Sequence, residues 1–147
     1  MNRRAFVGVL VCVVLALSLL PLGCVRVGGS GQRGVVSITF DDGTPSQYDI
    51  AFPLMQSYGL HGTFYVPTGY CPTLDCRRCM ISIPELLEMQ AAGNEVGSHS
   101  VSHPDFTMLS DADIEREAKE SKAFLERNGL VVNSFSYPFG TGDLRLA

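Results

Sequence analysis

From residue 35 onward the chain alternates short β-branched or aromatic runs with segments of helical period. Val35–Phe40 follows a Gly-rich stretch and reads as a buried strand. Ser46–Tyr58 reads as a helix, kinked at Pro53 and stopped at Gly59. Gly62–Val66 is a second strand. Ser82 caps the next helix, with Pro84 in its first turn and Glu85 closing a capping box. That helix runs to about Ala92 and ends at Gly93, and Asn94–Ser98 is a third strand. Ser110 caps a long helix through Arg127, with Ile114, Ala118 and Leu125 on one face and Asn128-Gly129 as its stop. Val131–Tyr137 is a fourth strand. The order β-α-β-α-β-α-β predicts an α/β fold with a parallel sheet and right-handed crossovers. In such sheets functional groups gather at the carboxyl ends of the strands.

Three strand ends carry candidate chemistry. After the first come Asp41 and Asp42, followed by Gly43. Adjacent carboxylates repel unless a cation or donors lie between them, although Asp-Gly is also a frequent turn dipeptide. After the third strand, His99 and His103 are two of only three His in the chain. Their spacing lets both imidazoles reach one cation, and Pro104 disfavours helix at His103, so the pair belongs on a structured loop. Two His and one Asp with open positions form the pattern of a catalytic rather than a closed structural metal. After the fourth strand, Tyr137-Pro138-Phe139-Gly140 offers aromatic walls and a turn.

Together these segments resemble the polysaccharide deacetylases of carbohydrate esterase family 4, the NodB-homology domain. The first motif of that family, Thr-Phe-Asp-Asp-Gly, stands complete at Thr39 to Gly43. The second, His-(Ser/Thr)-x-x-His, stands complete at His99 to His103, and the third stands in part at Ser136 to Gly140. The resemblance implies the amino-terminal part of a distorted (β/α) barrel over residues 35–147. It implies Asp41 as general base, and Asp42, His99 and His103 as ligands of a divalent metal, usually zinc. It also implies Phe139 as the source of a backbone N–H for the oxyanion, with Tyr137, Pro138 and Gly140 shaping the sugar-binding rim. The implied reaction is hydrolysis of N-acetyl groups on a polymer containing N-acetylglucosamine.

Two departures stand out. Ser136 occupies the place of an Arg that many members use to orient the base, and a hydroxyl cannot make a bidentate carboxylate contact. The family draws its leaving-group acid from a later His, and no His follows His103. His61 precedes the second strand and matches no motif. A non-catalytic remnant that binds metal or sugar is therefore the competing reading. Cys71, Cys76 and Cys79 follow the second strand; in an exported chain they read as one disulfide plus a free thiol.

The amino terminus changes the picture of location. Arg3 and Arg4 precede Ala5–Leu20, which carries no charge, and then come Pro21-Leu22-Gly23-Cys24. This resembles the leader of bacterial lipoproteins, with residues 1–23 removed, Cys24 lipidated and residues 24–34 as a Gly/Ser-rich linker; an ordinary cleaved signal and an uncleaved anchor helix are the alternatives. The expected location is the cell envelope, anchored to the membrane. Cys12 lies within the leader and needs no role.

Composition adds exclusions. Eleven Lys+Arg against fifteen Asp+Glu give a net charge of −4, so the chain lacks the basic face of a nucleic-acid binder. With 46 % apolar and 18 % charged residues it is not a disordered chain. A complete (β/α)8 barrel takes ~250 residues, so a length of 147 predicts an incomplete barrel.

Overall fold

A computed structural model describes residues 34–69 and 80–142. The leader, Cys12, Cys24, most of the linker and Cys71, Cys76 and Cys79 lie outside the described residues. From Val35 onward the chain belongs to one unit. Among the described residues no helix is long and apolar enough to cross a membrane.

Three strands, β1 (Thr39–Phe40), β2 (Thr63–Val66) and β3 (Glu95–Ser98), form a parallel sheet in that order. Phe40 and Phe64 are register partners, and their rings stack with centroids 4.8 Å apart. This cross-strand pair fixes β1 against β2. Phe64 and Val66 are buried while Thr63 and Tyr65 are half-buried, the period of two expected of a strand. Gly97 lets β3 approach: a Cβ there would lie 2.5 Å from the Tyr65 ring and 2.8 Å from Ser134 Oγ.

The helices follow their caps. α1 (Phe52–Ser57) is preceded by a π-helical turn, Gln47–Ala51. The Pro53 kink read from sequence takes this form: Pro53 has no N–H to give, and the Phe52 N–H reaches back to the Gln47 carbonyl instead. α2 (Ile83–Ala91) starts where expected, with the Glu85 carboxylate accepting from both the Ser82 N–H and Oγ at 2.8 Å. α3 (Asp111–Arg127) starts at Ser110, whose Oγ accepts from the Asp113 N–H. Its buried stripe is Glu117, Ser121 and Leu125; the expected Ile114 and Ala118 are half-buried at its margin. Phe64, Ile81, Leu86, Met89, Val96, Leu125 and Val132 fill the core between sheet and helices.

The outer strands are shorter than the sequence suggests. Val35 and Val36 are 93 % and 86 % exposed, because β2 begins only at Thr63 and offers them no partner. The expected fourth strand reduces to one parallel bridge, Ser98 to Phe135. Side chains take over the backbone groups nearby: Gln90 bonds both the N–H and the carbonyl of Val131, and the Lys122 ammonium bonds the Val132 carbonyl. A backbone satisfied by side chains has no need of a ladder.

Candidate metal centre

The carboxyl ends of β1 and β3 face one another across a single point. After β1 the backbone turns left-handed at Asp42 (φ 73°) and Gly43 (φ 59°). Glycine is required at 43, since a Cβ would lie 2.9 Å from Val66 Cγ1. The turn separates the two carboxylates. Asp42 points at the His pair, while Ser136 Oγ lies 3.4 Å from Asp41 Oδ2. The Gln47 amide also holds the Asp41 carbonyl.

Asp42 Oδ1 lies 3.1 Å from Nε2 of His103 and 3.5 Å from Nε2 of His99. One donor atom from each of the three residues falls within 4.8 Å of the others. The His99 side chain is 2 % exposed and its Nδ1 lies 2.8 Å from the Ser136 carbonyl oxygen. A carbonyl can only accept, so Nδ1 donates and Nε2 is the ring atom left to face Asp42. An Nε2 lone pair and a carboxylate oxygen aimed at one point are the donors a cation between them would take. This outer-shell carbonyl is the usual companion of a metal-binding imidazole, so the donor set fits a divalent metal. Asp42 is the most exposed of the three, which leaves a side open to solvent.

The loop carrying the His pair is held in a rare conformation. Ser100 (φ 70°) and His103 (φ 55°) are left-handed, and the Ser100 Oγ accepts from the His103 N–H at 2.9 Å. Phe139 (φ 61°) completes the set: all four left-handed non-glycine residues among those described stand at this site. Such strain persists only where neighbours over-determine the backbone, and it clusters at functional sites.

Phe139 lies edge-on to the His103 ring at 4.7 Å, and its side chain is exposed. Its N–H has no hydrogen-bond partner among the described residues. Pro138 beneath it is buried, and Gly140 is left-handed. Tyr137 packs against Phe106 and Phe135, with ring centroids 5.5 and 5.1 Å away. His61 is exposed beside Gly93, next to the amino-terminal ends of β2 and β3, apart from the His pair.

Two contributors were not legible in the sequence. Asp105 accepts from Thr107 and from Thr141, and these hydroxyls, with the Thr107 N–H, hold its carboxyl below the ordinary value. Glu117 on α3 is buried beneath the His loop. Its signal was its place on the stripe of Leu125, where a charge is unexpected.

Residues 28–146 match the family described as polysaccharide deacetylase. Over 121 residues the chain is 31 % identical to a gellan lyase of Bacillus sp., covering 80 % of this chain and 4 % of that one. It is 31 % identical over 97 residues to the peptidoglycan-N-acetylmuramic acid deacetylase PdaC of Bacillus subtilis, covering 65 % of this chain and 19 % of PdaC. Among solved structures, the Streptococcus pyogenes deacetylase PplD in complex with acetate superposes with a TM-score of 0.71 at 27 % identity. That match covers 76 % of this chain and 49 % of PplD, so the chain spans about half of that structure and a smaller share of the two curated relatives. Both complete motifs, the parallel sheet that positions them and a family match over nearly the whole length agree: this chain belongs to the polysaccharide deacetylases.

Proposed function

We propose that the chain acts as a metal-dependent N-deacetylase on a polysaccharide containing N-acetylated hexosamine. The observation that carries this reading is the convergence of Asp42, His99 and His103, with the His99 tautomer set by the Ser136 carbonyl. Asp42, His99 and His103 would hold a divalent cation, zinc by preference, which when bound would supply a Lewis acid for the acetamide carbonyl and acidify a water. Asp41, beside Asp42 and with Ser136 Oγ 3.4 Å from its Oδ2, would take the proton of that water. The Phe139 N–H, without a hydrogen-bond partner among the described residues, would donate to the developing oxyanion. The exposed Phe139 ring, with Tyr137 beside it, would form a wall for a sugar ring; Pro138, expected at that rim, is buried and cannot face it. Acetate and a free amine are the products. PdaC, which acts on N-acetylmuramic acid in peptidoglycan, supports a cell-wall polymer as the substrate class.

The test is acetate release from N-acetylglucosamine oligomers and from peptidoglycan, with Asp41→Ala as control. Release that depends on both zinc and Asp41 supports the reading; zinc binding without release favours the competing reading of a metal- or sugar-binding remnant. The leader adds a location, the cell envelope, with Cys24 as the lipid anchor. Loss of labelled fatty acid in Cys24→Ser checks it.

A further inference from the structure

Glu117 is 6 % exposed, and among the described residues it forms no ion pair. A buried carboxylate is costly unless its lone pairs are filled. They are filled by the His loop. Oε2 accepts from the Val101 N–H at 2.8 Å and the Ser102 N–H at 2.9 Å, and Oε1 accepts from Ser102 Oγ at 2.8 Å. On its opposite side the loop is tied to the end of β2: Thr68 N–H to the Ser100 carbonyl at 3.0 Å, and Gly69 N–H to the Val101 carbonyl at 2.7 Å. The segment between the two histidines is therefore clamped from both sides, and Ser100 and His103 hold left-handed backbones that side-chain-bearing residues ordinarily avoid.

We infer that Glu117 is a positioning residue for the cation site, gripping the backbone of Val101 and Ser102 so that His103 stays within reach of Asp42. This rests on the metal reading above. Glu117 touches neither metal nor substrate. It continues the buried stripe of Ser121 and Leu125, yet it carries the group that accepts three donors from one loop. A carboxylate suits that task because ionised acceptors make the stronger hydrogen bonds.

The experiment measures zinc affinity of the full chain by competition with a chromophoric chelator, and the visible absorption of the Co2+-loaded form. Glu117→Gln keeps the size but turns an N–H2 group towards loop donors. It is expected to lose about 10–100-fold in affinity, the range for outer-shell partners of a metal site, and to change the Co2+ spectrum. Glu115→Gln, on the exposed face of the same helix, is expected to change neither. If the wild-type chain binds no zinc, the metal reading falls and takes this inference with it. If it binds zinc and Glu117→Gln keeps the wild-type affinity and spectrum, only this inference is overturned. Should Glu117→Gln fail to fold, Ser102→Ala decides. It removes one of the three donors, and an unchanged affinity and spectrum there overturn the inference equally.

Discussion

Thr141 Oγ1 lies 2.9 Å from Asp105 Oδ1, so one carboxylate ties the segment after the His pair to the turn that carries Phe139. The same oxygen accepts from the Thr107 N–H and hydroxyl, at 3.0 and 2.7 Å. The Thr107 hydroxyl, then Thr141, then the Thr107 N–H hold the Asp105 carboxyl below its ordinary value of 3.8. A carboxyl with a depressed native pKa contributes stability that is present above the unfolded value and lost as pH falls through the native one. Asp105→Asn should therefore lower the Tm above about pH 5, and its gap to the wild type should close as the pH falls below 3.8. Thermal unfolding across that range checks the sign; a gap that widens on acidification contradicts it.

Removing a ligand should differ in kind from removing the base. Asp42→Ala and His103→Ala should each weaken zinc by more than the ~10–100-fold that an outer-shell loss costs. Asp41→Ala should leave zinc affinity unchanged and reduce acetate release by about 10²–10⁴-fold, the usual contribution of a general base. Equilibrium zinc titration and an acetate assay on the same preparations separate the two effects.

Ser136 serves both halves of the site with different atoms. Its carbonyl accepts from His99 Nδ1 and its hydroxyl faces Asp41. Ser136→Ala keeps the carbonyl, so zinc affinity should hold. The 3.4 Å contact to Asp41 is lost, and turnover should fall only a few-fold because so long a hydrogen bond is weak. A large loss of zinc binding in this variant would mean that the hydroxyl, not the carbonyl, orients His99.

Gly97 is fixed by packing, not by function. Gly97→Ala places a methyl 2.5 Å from the Tyr65 ring and should cost about 1–3 kcal/mol, the range for overpacking a tight site. Denaturant unfolding measures it, and an unchanged midpoint would show that the Tyr65 ring can move aside.

The reach of the sequence can be seen element by element. Both capped helices began at Ser82 and Ser110 as read, because a cap is a local hydrogen bond written in adjacent residues. The Asp42, His99 and His103 cluster was also legible, since parallel topology sends the ends of β1 and β3 to the same face. The fourth strand was overread. Its β-branched start has the right composition, but Gln90 and Lys122, from two different helices, capture its backbone. Glu117 was missed for a related reason: a charge on the buried stripe is unusual, but its partners lie fifteen and sixteen residues away and leave no mark in its own neighbourhood.

The left-handed backbones at Asp42, Ser100, His103 and Phe139 limit how the site can be rebuilt. Outside glycine, Asn, Asp and His are the residues that most readily accept this conformation. Exchanging ligands to favour another metal is thus governed first by backbone geometry. At positions 42 and 103 a β-branched replacement would meet strain before its donor atom mattered, whereas position 99 lies outside the left-handed set and is free of that restriction. Among the three proposed ligands, backbone strain therefore constrains exchange least at the most deeply buried one.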